Sequence, residues 1–209
     1  MNYLIIGGLS YVSSQAMYGL LHRLDSEAIV DILDFKLTEA VASQYRIEEQ
    51  IMFRLGEIKN IDKYHAISLC CNSAHVCYQK IKAAYPNFIP IMRVLELVDS
   101  NSVLVLGTDF TIENDIYGKF CGSDNLDIEV NYLPANLQSI VHATIYDYLV
   151  FNKVPENISE ITSEIKSYCF ERGIASIILG CTELCLIRDH LEPFCIIDSL
   201  DGLASILTT

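Results

Sequence analysis

Two short stretches of this chain carry residues whose type and spacing can do chemistry: "LCCNSAH" at 69–75 and "LGCTELC" at 179–185. Each reads as the end of an apolar run, then a cysteine, then small polar residues that open a helix. A helix N-terminus lowers a cysteine's pKa from about 8.5 and favours the thiolate. A thiolate takes a proton and a thiol gives one. With one on each face of a carbon atom, the pair can invert a stereocentre. Cys71 and Cys181 are therefore the candidate acid/base pair. Asn72, Ser73, Thr182 and the backbone N–H groups beside them, that of Ala74 included, could hold a carboxylate. Glu183 either caps the second helix or orients the Cys181 thiol, and the sequence leaves both open.

Other readings compete for the same residues. Cys71 with His75, and Cys181 with Cys185, are each four apart, the spacing of metal ligands on one helix face. No C-x-x-C pair occurs, which counts against a zinc knot. A buried structural thiol is the plainer alternative, since free cysteine is often core. Cys70 faces the opposite way from Cys71 along a strand and is expected in the core. Cys77, Cys121, Cys169, Cys185 and Cys195 are expected as small apolar fillers. Ser10, Ser13 and Thr111 are candidate helix caps. Gly7-Gly8 lacks the rest of a G-x-G-x-x-G pattern, so nucleotide binding is excluded.

The elements that must position these residues alternate. Short apolar runs predict strands at 3–7, 28–33, 66–70, 88–91, 103–107, 127–130, 175–180 and 194–198. Helical periodicity predicts helices opening at Ser13-Ser14, over 46–60, from Ser73 to before Pro86, over 134–151 and 157–172, and at the C-terminus. Strands alternating with helices imply an α/β fold with mostly parallel sheet, whose ligands collect at the carboxyl ends of the strands. The pattern also echoes itself. Cys71 and Cys181 lie 110 residues apart, and Gly7 and Gly107 of "IIGGLSYVSS" and "VLGTDFTIE" lie 100 apart. Two pseudo-symmetric lobes are expected, residues 1–97 plus 195–209 carrying Cys71 and residues 98–194 carrying Cys181.

The 209 residues are 51% hydrophobic, enough for a sizeable core. A net charge of −13 repels nucleic acid and anionic membranes. No apolar stretch reaches the roughly 18 uncharged residues of a membrane helix, and "MNYLIIGGLS" reads as a strand and not a signal peptide. A cytoplasmic address is expected, where the eight cysteines would be thiols.

Five stretches together resemble the aspartate/glutamate racemases. "CNSAH" resembles that family's "CNTAH", and "LGCTEL" its second cysteine motif. "IIGGLSYVSSQAMY" is similar to "IGGMSxxSTxxYY", "LGTDFTIENDIY" to "LLGTxxTMxxxFY", and "IYDYLV" to "IYxEL". The resemblance implies two α/β lobes with the active site in the cleft between them. It also implies a two-base mechanism without cofactor or metal, and a homodimer. Ser10 and Thr111 become expected substrate contacts. Arg46 and Lys153 become the expected cations for a second, distal carboxylate. The chain departs from the pattern in three places. Leu203 stands where a histidine is expected, Tyr148 where a glutamate is common, and the region between Arg46 and Cys71 is short. The expected activity is racemisation of aspartate or glutamate, with Cys71 and Cys181 as acid and base. A hydantoin racemase, a maleate-type isomerase, a decarboxylase or a catalytically silent carboxylate-binding protein would share the cysteine pattern.

Overall fold

The structure is a computed structural model describing residues 1–7, 11–33, 44–151 and 153–209. The chain divides into two compact units, one of residues Met1–Arg93 and Leu203–Thr209, the other of Val94–Gly202.

The first unit runs β1 (Asn2–Ile6), α1 (Tyr11–Leu24), β2 (Ile29–Leu33), α2 (Gln44–Gly56), β3 (Ala66–Leu69) and α3 (Tyr78–Ala84). Its sheet has the order β2-β1-β3, and every pair is parallel. Tyr3 to Ile6 are all buried, as are all four residues of β3. Strands buried along their length in this way belong to parallel sheets covered on both faces, which is why the sequence shows mostly apolar runs and not alternation. In α2, Ile47, Ile51 and Leu55 recur every four residues and are buried, while Phe53 points outward. Ser13 and Ser14, expected to open the first helix, lie inside α1 and are buried. The expected strand at 88–91 shrinks to a single parallel bridge between Ile67 and Phe88. Pro90 has no N–H to extend a ladder, and Ile91–Leu97 winds into 3-10 turns instead.

The second unit runs β4 (Ser102–Leu106), α4 (Asp109–Glu113), α5 (Ile116–Asp124), β5 (Glu129–Asn131), α6 (Ala135–Phe151), α7 (Ile158–Arg172), β6 (Ser176–Leu179) and β7 (Cys195–Asp198). Helix α8 (Ser199–Leu207) ends the chain. The sheet order is β5-β4-β6-β7, again all parallel. Its core joins Leu104 and Leu106 of β4 and Ile177 and Leu179 of β6 to Val141 and Ile145 of α6 and Ile161 and Ile165 of α7. Strand β7 hydrogen-bonds to β6 with Leu179 opposite Asp198. That pairing puts residues 195–202 in the second unit, and only Leu203–Thr209 groups with the first. The expected assignment of 195–209 to the first lobe is corrected accordingly. Leu203 is fully buried, so the position where the resemblance expects a histidine is an apolar packing position.

Cysteine burial is uneven. Cys70, Cys77, Cys121 and Cys169 are buried as expected, but Cys185 and Cys195 are exposed and do not fill the core. Among the described residues no helix is long and apolar enough to cross a membrane.

Candidate active site

Cys71 and Cys181 occupy the same kind of place in their two units. Each follows the carboxyl end of a parallel strand, β3 or β6, each leads into 3-10 turns, and each is partly exposed. The turns, Ser73–Cys77 and Thr182–Leu191, replace the α-helix starts read from the sequence.

Around Cys71 the backbone is tightly held. The Cys70 N–H donates to the Ile6 carbonyl at 2.9 Å, continuing the sheet one residue past β3. The Cys71 carbonyl accepts the Ala74 N–H at 3.2 Å and lies 2.8 Å from Nδ1 of His75. The other ring nitrogen, Nε2, accepts the Ile91 N–H at 3.0 Å. An imidazole that accepts at Nε2 and faces a carbonyl at Nδ1 is the neutral Nδ1–H tautomer. His75 is fully buried, with its ring centroid 5.9 Å from that of Phe88. Burial pushes its pKa down to about 4. Both ring nitrogens are engaged by backbone, so the metal reading of Cys71 and His75 fails. Among the described residues no group of three His, Cys, Asp or Glu side chains is placed to hold a metal ion. Asn72, Ser73 and Ala74 are buried, and the Ala74 N–H is spent on closing the turn.

The pKa of His75 has a direct consequence for stability. The unfolded chain takes up a proton near pH 6.5 and the folded one only near 4, so stability falls as pH drops across that window. The slope is expected to reach about 1.4 kcal/mol per pH unit. Urea midpoints measured from pH 7 to 4.5 should show it, and a His75→Asn variant should lack that contribution.

Around Cys181 the placement begins with a glycine. The Gly180 N–H donates to the Leu106 carbonyl at 2.7 Å, and a Cβ at this position would stand 2.8 Å from that same oxygen. Backbone meets backbone there, and only glycine allows it. Cys181 itself is extended, and its Sγ donates to Glu183 Oε2 at 2.9 Å. The Thr182 hydroxyl donates to the same oxygen at 2.8 Å. Glu183 is buried. The same carboxylate oxygen therefore faces both the Cys181 thiol and the Thr182 hydroxyl. The buried Tyr117 lies close to the same strand ends, 3.5 Å from a Cβ built on Gly180. Burial first, then Tyr132, Asp198 and Cys181, raise its pKa. Asp198, whose carboxyl is raised chiefly by burial, accepts the Leu200 and Asp201 N–H groups and caps α8.

The remaining expected site residues are spread along the chain. Thr111 is fully buried, with its hydroxyl 3.1 Å from that of Thr108. Thr108 is the N-cap of α4 and accepts the Thr111 N–H at 3.3 Å. Arg46 is exposed in the first turn of α2, and Lys153 is exposed two residues past α6, its N–H on the Asp147 carbonyl at 3.3 Å. Ser10 lies outside the described residues. A groove of about 590 Å³ bordered by Glu48, Glu49, Met52, Phe53 and Lys80 contains neither cysteine. The sequence offered His75 as a metal ligand, as a cap or packing group at the helix start, or as a group tuning Cys71; its place four residues past Cys71 was the available sign that it could bond back to that carbonyl.

Both units are parallel α/β, with a cysteine just past the carboxyl end of β3 in one and of β6 in the other. Residues 6–207 match the Asp/Glu/Hydantoin racemase family, and the chain belongs to it. No curated protein matches. Solved structures resemble it closely in fold at low identity. A Yersinia pestis protein proposed to be an Asp/Glu racemase superposes with a TM-score of 0.82 at 19% identity, covering 99% of this chain and 97% of that one. An aspartate racemase homologue from Pyrococcus horikoshii OT3 gives 0.81 at 21%, covering 99% and 96%. Glutamate racemase from Francisella tularensis, in complex with D-glutamate, gives 0.74 at 19%, covering 99% and 79%.

Proposed function

We propose that this chain racemises an acidic amino acid, aspartate or glutamate, by a two-base mechanism using Cys71 and Cys181 and no cofactor. The observation that carries the reading is the Cys181 thiol held on Glu183 at a strand end, in a chain of the racemase family. In the proposed cycle one thiolate removes the α-proton of bound substrate. The other cysteine, as a thiol, returns a proton from the opposite face. The thiol and thiolate then stand exchanged, and the enzyme is set for the reverse enantiomer. Cys181, whose Sγ lies 2.9 Å from Glu183 Oε2, is the proposed proton donor in one direction, with Cys71 as the base. Arg46 and Lys153 are the proposed cations for the distal carboxylate, where the planar fork of arginine suits bidentate binding. The proposed enzyme acts as a homodimer in the cytoplasm.

The test is solvent exchange. Each enantiomer of aspartate, glutamate and a set of neutral amino acids is incubated with the protein in deuterated water, and the α-proton is followed by NMR. Aspartate or glutamate is expected to lose its α-proton signal and its optical rotation with no pyridoxal phosphate present. Exchange that requires added pyridoxal phosphate, or exchange with no amino acid tested, defeats the reading.

A further inference from the structure

The mechanism above leaves His75 unused, although it is buried and bonded at both ring nitrogens. Its two partners belong to different segments. Nδ1 faces the carbonyl of Cys71 itself, and Nε2 accepts the N–H of Ile91, 16 residues on. The segment 87–91 is in turn strapped along β3. The Ile67 N–H donates to the Asn87 carbonyl at 3.1 Å, the Ile89 N–H to the Ile67 carbonyl at 2.8 Å, and the Ser68 hydroxyl to the Ile89 carbonyl at 2.6 Å. The ring therefore closes a loop of bonds that runs from Cys71 through His75 to Ile91 and back through β3.

We propose that His75 is the positioning residue for Cys71, its neutral imidazole clamping the Cys71 carbonyl to the Ile91 strap so that the thiol keeps a fixed direction at the strand end. This rests on Cys71 being a reacting group. The physical argument is that a side chain leaves its backbone at a direction set by φ and ψ, and a carbonyl pinned from two sides, by the Ala74 N–H and by His75, fixes ψ of Cys71. The ring is poorly suited to proton transfer, because neither nitrogen is available to substrate and acceptance from Ile91 requires Nε2 to stay unprotonated. The low pKa of the buried ring agrees with that requirement.

Two substitutions separate the two bonds. The amide of His75→Asn occupies the place of Nδ1 and can still donate to Cys71. That of His75→Gln reaches the place of Nε2 and keeps only the Ile91 bond. Two readouts are taken for each folded variant. The first is iodoacetamide labelling of Cys71 against Cys181, resolved by peptide mass spectrometry, as a function of pH. The second is α-proton exchange in a Cys181→Ala background, which isolates the half-reaction that Cys71 performs. His75→Asn, which keeps the Cys71 bond but loses the Ile91 tether, is expected to lose less than His75→Gln in both. His75→Gln is expected to lower kcat for exchange on the order of a hundredfold with little change in KM, as a misplaced group does. It is also expected to shift the pH profile of Cys71 labelling while that of Cys181 stays put. Gln equal to or better than Asn overturns the proposal. So does a labelling change shared equally by both cysteines, which is what general loosening gives. If neither variant folds, nitrogen-15 NMR of the wild-type ring decides. A neutral Nδ1–H tautomer at pH 6 is expected, and an imidazolium or an Nε2–H tautomer overturns the clamp. The labelling arm needs no turnover. A chain that labels as expected but exchanges no amino acid retains the clamp and loses the racemase reading.

Discussion

Cys71→Ala and Cys181→Ala are each expected to lower racemisation by at least about a thousandfold, within the range a positioned acid or base contributes. Inversion needs a proton acceptor on one face and a donor on the other, so neither thiol can substitute for both. The single variants are not expected to be silent in every assay. Each keeps one thiol, and each should wash the α-proton out of one enantiomer only, with opposite preference in the two variants. Cys70→Ala is the control. Cys70 is buried at the end of β3 and its side chain belongs to the core, so that variant should keep most activity at some cost in stability. A dead Cys70→Ala beside an active Cys71→Ala would mean that the other member of the doublet is the reacting thiol. Identical enantiomer preference in Cys71→Ala and Cys181→Ala would sink the two-base scheme itself.

Glu183→Ala should cost about a hundredfold in kcat, and most of that loss should fall on the direction in which Cys181 gives up its proton. The side chain is buried, and one of its oxygens accepts from both the Cys181 thiol and the Thr182 hydroxyl. Removing it frees the thiol to rotate and strands a hydroxyl, a combination worth on the order of 2–3 kcal/mol. Glu183→Gln distinguishes the two ways the carboxylate could matter. An amide oxygen still accepts from the thiol, so if orientation is the role, Gln should recover most of the activity that Ala loses. Gln as poor as Ala would assign the effect to the negative charge. Steady-state rates in both directions, with KM for each enantiomer, separate these outcomes.

Much of this was legible from residue order. The strands β1, β3, β4 and β6 are apolar but for one residue each, Asn2, Ser68, Ser102 and Ser176, and in a covered parallel sheet that is what burial demands, so they could be read directly. The cysteines stood out because they follow such runs. Three things were not legible. Segment 88–91 has the composition of a strand, but Pro90 and the short pairing to Ile67 stop it, and a ladder's length is a tertiary fact. Strand β7 was expected in the first lobe, since "FCIID" carries no mark of its partner, and the pairing with β6 puts it beside the second unit's sheet instead. The third is His75. A histidine four residues beyond a cysteine fits a ligand, a cap or a carbonyl clamp equally well, and the choice depended on Ile91 arriving at Nε2 from another segment. Arg46 and Lys153 show the reverse situation. Their charge is plain in the sequence, and both side chains are exposed.

The contact between Gly180 and Leu106 shapes what variation the second unit can tolerate. Because backbone touches backbone at the root of Cys181, the depth of that thiol relative to the sheet is set by hydrogen-bond length and not by how neighbouring side chains fill space. Core positions such as Ile177 and Ile178 can therefore drift among similar aliphatics over evolutionary time without moving the sulfur. Position 180 has no such latitude, since even one methyl group would wedge β4 from β6. In a saturation library screened for turnover, tolerance should be broad along β6 and vanish at its last step before the cysteine, where alanine would already be excluded.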